Sequence, residues 1–136
     1  GATRGLLVYL IDAYHEENIK DAKGNDTKRV VMKLHPKLAP FKVAILPLIK
    51  KDGLPEIARS LVKDFMKSGI NARYDEQHAI GKRYRRHDEV GTPYCITIDG
   101  ETKDDNCVTI RDRDTMLQER IPIADAIEIV KNKLNQ

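Results

Sequence analysis

A chain of 136 residues, 40% hydrophobic and 33% charged, can bury one core and needs no second, and no apolar run approaches the ~18 residues of a membrane span. Its 24 Lys and Arg are nearly balanced by 21 Asp and Glu, giving a net charge of +3, so bulk charge alone does not announce a nucleic-acid partner. Cys95 and Cys107 lack CxxC spacing and follow no signal peptide, which reads as two reduced, structural thiols of an intracellular protein.

In chain order, "LLVYLIDAYHEE" (Leu6 to Glu17) is almost continuously apolar until His15 and then charged, the pattern of a helix buried on more than one side in its first turns. The polar run from Asn18 to Lys28 reads as a linker, and the initial Gly suggests a piece of a longer protein. "RVVMKLHP" (Arg29 to Pro36) predicts a short extended segment stopped by proline, and "KVAILPLI" (Lys42 to Ile49) a fully buried strand. "LPEIARSLVKDFMKSG" predicts a helix with Pro55 at its start, Gly69 at its end, and Ile57, Leu61, Val62, Phe65 and Met66 on one stripe. "INARYD" alternates as a strand, which completes a βαβ unit.

A short helix is predicted from Ile80 to Glu89, ended by Gly91 and Pro93, followed by strands at "PYCITID" and "CVTIRDRD" joined through the loop "GETKDDN". An amphipathic helix closes the chain, with Ile123, Ala126, Ile127 and Val130 on one face. The fold class is therefore α/β: a mixed sheet of about five strands flanked by helices.

Two segments could carry chemistry. The helix from Ile80 gathers Lys82, Arg83, Arg85, Arg86 and His87 around Tyr84. Ile80 and Tyr84, one turn apart, would face the sheet, while Lys82, Arg85 and Arg86 point away with cations suited to phosphate oxygens. The same cluster could equally be a solvated face balanced by Asp88 and Glu89. "TIRDRDTMLQER" alternates Arg111, Asp112, Arg113 and Asp114 before Gln118, Glu119 and Arg120. As a strand it would put both arginines on one face, able to read base edges, or tied into an Arg/Asp lattice.

Catalysis finds little support in the spacing. His15, His35, His78 and His87 are scattered without a metal-ligand motif, Ser60 and Ser68 lack a nucleophile elbow, and Gly81-Lys82 is not followed by the Ser or Thr of a phosphate loop. No metal site is expected.

"APFKVAILPL", "IGKRYRRHDEVGTPYCITID" and "VTIRDRDTMLQER", in that order, resemble the C-terminal anticodon-binding domain of class II glycyl-tRNA synthetase. Gly-Lys followed by Gly-x-Pro-Tyr is similar to the anticodon domains of the glycyl, threonyl, prolyl and histidyl enzymes. Arg-Asp-Arg-Asp with a following Gln is like the glycyl enzyme. "GATRGLLVYLIDAYHEE" resembles the end of the catalytic domain, which would make Arg4 the motif-3 arginine that contacts ATP phosphate.

The resemblance implies that residues 1–28 are the end of a catalytic domain and 29–136 an anticodon-binding domain. The parent would be a cytoplasmic ligase, a homodimer that joins glycine to its tRNA with ATP and Mg²⁺. This chain would be inactive alone and without cofactor, and would hold the tRNA(Gly) anticodon stem-loop beside the catalytic domain of the same chain. The candidate tRNA contacts are Lys82, Arg83, Arg85, Arg86, Glu89, Arg111, Asp112, Arg113, Asp114, Gln118 and Arg120. With no Trp in the chain, hydrogen bonding rather than base stacking should dominate. A non-catalytic nucleic-acid-binding accessory subunit of the same fold, the anticodon domain of another class IIa synthetase, and a domain kept only for packing remain as alternatives.

Overall fold

The computed structural model describes residues 2–21 and 23–136. Helix α1 (Ala2–Ala13) runs into strand β1 (Tyr14–Lys20), which pairs antiparallel with β2 (Asp26–Met32) from Tyr14 opposite Met32 to Lys20 opposite Asp26. The predicted helix to Glu17 therefore stops four residues early, and the predicted linker is a hairpin turn. The strand is formed by its partner rather than by its own pattern, since "YHEENIK" has only Glu17 and Ile19 half-buried. Around α1, Ala13 and Tyr9 pack with Met32, Leu34 and Ala39, but Leu6, Leu7, Val8, Leu10 and Ile11 are exposed, not buried as their apolar run predicts.

The main sheet has the order β4-β3-β5-β6-β7. Strand β3 (Val43–Pro47) lies parallel to β4 (Ala72–Tyr74) on one side and to β5 (Tyr94–Ile98) on the other. Antiparallel strands β6 (Cys107–Asp112) and β7 (Gln118–Pro122) extend it to the far edge. The expected five strands are present, but with different membership: Arg29 to Met32 belongs to the separate hairpin, and the polar "QERIP" supplies the edge.

Helix α2 (Leu54–Lys67) and helix α5 (Ala126–Leu134), which follows a 3₁₀ turn at Ile123–Asp125, cover one face of the sheet. Leu54, Ala58, Leu61 and Phe65 of α2, with Ala126 and Val130 of α5, close over Val43, Ile45, Ile96, Ile98, Val108, Ile110 and Ile121. Met66, placed on the buried stripe by spacing, is 55% exposed. Helix α3 (Ile80–Val90) covers the other face, and this double coverage explains why β3 and β5 are buried at every position. A four-residue helix, α4 (Thr102–Asp105), fills the predicted loop between β5 and β6. Among the described residues no helix is long and apolar enough to cross a membrane.

Candidate nucleic-acid interface

Helix α3 sits on the sheet through Ile80 and Tyr84, which pack against Ala44, Leu46 and Cys95. The Tyr84 hydroxyl lies 2.6 Å from Thr97 Oγ1 on β5. Burial drives the Cys95 thiol up to about 12, so it stays protonated under the helix, and both cysteines are free. The rest of the helix's buried stripe is polar. Positions 80, 83, 84, 87 and 88 follow the i, i+3, i+4, i+7, i+8 rule for a core-facing surface, and Arg83, His87 and Asp88 occupy it at 2%, 1% and 1% exposure. Arg83 and His87, grouped by sequence with the cations around Tyr84, are interior.

These polar groups fasten α3 to the elements around it. Arg83 donates to the carbonyls of Pro47 at 2.6 Å, Leu48 at 3.1 Å and Asp75 at 3.2 Å, capping the ends of β3 and β4. His87 Nε2 lies 2.9 Å from Asp75 Oδ2, which also takes a hydrogen bond from Arg86. Burial holds His87 below its ordinary value, with Asp75 pulling partly the other way. The same burial would raise Asp75, but Arg86, the Gln77 N–H and His87 outweigh it and keep this carboxylate below its usual range.

Asp88 is the centre of a buried arginine lattice. Arg111 grips it in bidentate fashion at 2.9 and 3.1 Å, and Arg29 Nη1 donates to it at 3.1 Å. The Arg111 guanidinium also lies over the Tyr84 ring at 4.8 Å from the centroid. Burial opposes the Arg111 charge, yet Asp88 outweighs it and pushes the guanidinium's pKa up. Beyond Arg113 the chain turns, with Met116 at a φ of +61°. Arg113, whose N–H still donates to the Pro93 carbonyl at 2.9 Å, lies on the α3 side of the sheet as Arg111 does but does not share Asp88 with it. Arg113 instead donates to the carbonyls of Gly91 and Leu34, both at 2.8 Å, and pairs with Asp114 at 2.9 Å. Asp112 accepts from the N–H groups of Asp114 at 2.8 Å and Thr115 at 3.1 Å, fixing the turn.

The predicted contact residues thus separate into groups. Lys82 and Glu89 are exposed on α3, whereas Arg85 is half-buried and donates to the Lys28 carbonyl at 2.9 Å. Asp114 and Gln118 are exposed at the β6–β7 turn, and Gln118 lines a cleft of about 400 Å³ with Tyr94, Ile110, Thr115, Leu117 and Lys133. Arg120, farther along β7, is held by Asp99 at 2.9 Å and Asp105 at 3.0 Å, and these carboxylates raise its pKa. Arg83, Arg111 and Arg113 are interior, with their guanidinium groups engaged inside the fold. Arg4 is exposed on α1. Arg29 and Glu17 escaped the sequence reading, and Asp88 entered it only as a balancing charge, although its spacing from Ile80 and Tyr84 marked it as interior.

Residues 42–133 match the family model described as an anticodon binding domain. The chain belongs to the anticodon-binding domain family. It is 48% identical over 134 residues to the glycine–tRNA ligase of Treponema denticola, covering 98% of this chain and 30% of that protein. The ligase of Borrelia hermsii is 52% identical over 134 residues (98% and 29%), and that of Clostridium perfringens 51% over 136 residues (98% and 28%). This chain therefore spans about three-tenths of the length of these relatives. Prolyl-tRNA synthetase from Cryptosporidium parvum shares the fold, with a TM-score of 0.71 at 20% identity over 87% of this chain and 30% of that one.

Proposed function

We propose that this chain is the anticodon-recognising part of a glycine–tRNA ligase, and that it binds the anticodon stem-loop of tRNA(Gly). The observation that carries this reading is identity of about 50% to glycine–tRNA ligases across 98% of the chain. The geometry supports it with a turn that exposes Asp114 and Gln118, the latter lining an open cleft, a surface suited to an unstacked loop base. Lys82 is the exposed α3 cation available to backbone phosphate, while Glu89 and Arg120 are flanking contacts. Arg83, Arg111, Asp112 and Arg113 serve as the frame of this surface.

Residues 1–28 are the end of the catalytic part, and 29–136 the recognition domain. The exposed apolar flank of α1 fits packing against the rest of that catalytic part. Glycine activation with ATP and Mg²⁺ belongs there, and Arg4 would reach ATP phosphate only within that larger site. The parent is a cytoplasmic homodimer in this reading.

Titration of the chain with a labelled stem-loop carrying glycine anticodon bases, and with one whose anticodon bases are substituted, tests the proposal. Tighter binding of the first is expected. Equal weak binding of both sinks specific recognition.

A further inference from the structure

We propose that Arg29, on the hairpin and outside the family-matched segment, is a positioning residue that sets the geometry of the β6–β7 turn for RNA reading. This rests on the function proposed above. The guanidinium of Arg29 is fully buried. Its Nη1 donates to the carbonyl of Arg113 at 2.6 Å and to Asp88 at 3.1 Å, and Nη2 reaches the Asp114 carbonyl at 3.4 Å. Nε and Nη2 donate to Glu17 Oε2 at 3.2 and 2.7 Å.

One planar group therefore spans both hairpin strands, α3 and the main chain of the turn that carries Asp114 and Gln118. Through Asp88 it also fixes the carboxylate that orients Arg111 over Tyr84. Only a guanidinium has the donor fork for all of these partners at once. Lysine would keep the charge that Asp88 and Glu17 require, but as a point charge it cannot hold two carbonyls and two carboxylates in this arrangement. The hairpin is thereby part of the recognition unit rather than a passive linker, and it ties the orientation of the chain preceding β1 to the reading turn.

The test uses the full-length enzyme with Arg29→Lys. The KM for tRNA(Gly) should rise about tenfold, the scale of a lost charge-assisted hydrogen bond. Discrimination against anticodon-substituted tRNA should shrink, while the rate of glycine-dependent ATP–pyrophosphate exchange is unchanged. Glu17→Gln, which loosens one side of Arg29 but leaves Asp88 paired, should shift the tRNA KM in the same direction by a smaller factor, and it serves if the lysine variant folds poorly. Unchanged tRNA KM and discrimination in both variants overturns the proposal, as does an equal loss of exchange and aminoacylation, the signature of general destabilisation. If the unaltered enzyme itself shows no anticodon preference, the underlying function fails and the inference with it. Preference retained by the parent and by both variants refutes the inference alone.

Discussion

His87 is buried with its Nδ1 unpartnered, and burial lowers its pKa from 6.5 while Asp75 only partly restores it. Arg86 and Arg73 nearby also disfavour a second positive charge. The folded protein consequently binds fewer protons at this site than the unfolded chain does. The resulting stability is complete above pH 6.5 and is lost as pH falls through that value toward the lower folded one. Asp75 does not blur this window, because its carboxylate, held below 3.8, gives up its contribution only at lower pH. Urea midpoints measured from about pH 7.5 to 5.5 should fall for the unaltered protein. His87→Gln should flatten that slope whatever its effect on absolute stability, and an unchanged slope would mean that His87 does not carry it. Such interior polar groups are what the sequence reading lost. Hydrophobic periodicity scores only apolar residues, so Ile80 and Tyr84 were legible as anchors. Arg83, His87 and Asp88, on the same stripe, registered as surface charge.

At the level of elements, strands with apolar patterns were legible and strands made by pairing were not. "KVAILPLI" and "PYCITID" are apolar because both faces of β3 and β5 are covered, and α2 declared itself through Pro55 and its stripe. Edge strand β7 buries only Ile121, and β1 buries nothing fully, so neither leaves an alternating signature. Gly91 was legible as the end of α3, but its second task was not. Its φ is +81°, and a Cβ there would lie 2.6 Å from Leu34 Cδ1 and 3.1 Å from the Met32 carbonyl, so the helix end is also where the hairpin packs. Gly91→Ala should cost about 2 kcal/mol or more, combining left-handed backbone strain with overpacking against a buried leucine. Gly69, at a φ of +82° with nothing within 4 Å of its would-be Cβ, isolates the backbone part. Gly69→Ala should cost only about 1 kcal/mol. Denaturant midpoints of the two variants give the comparison, and equal losses would remove the hairpin contact from the account.

For the whole molecule, the distribution of charge sets how RNA binding should respond to salt. Its surplus is only +3, and Arg29, Arg83, Arg111 and Arg113 are committed to interior partners. Arg86 is paired with Asp75, and Arg120 with Asp99 and Asp105. The dense cations that made α3 look like a phosphate-binding surface and Arg111 to Arg120 like a base-reading one are thus largely neutralised within the fold, and exposed Lys82 remains on α3. Each phosphate neutralised on a single strand lowers the slope of log affinity against log salt by about 0.7. With Lys82 and two further exposed lysines of the chain engaged, the cognate stem-loop should show a slope near −2, about three phosphates. Its preference over a base-substituted loop should persist as salt rises, because hydrogen bonds from a pre-fixed turn release no counterions. A slope of about −4 or steeper would require some six phosphate contacts. The buried arginines would then have to leave Asp88 and the carbonyls they hold, and the lattice would be a latent RNA-binding surface instead of a frame.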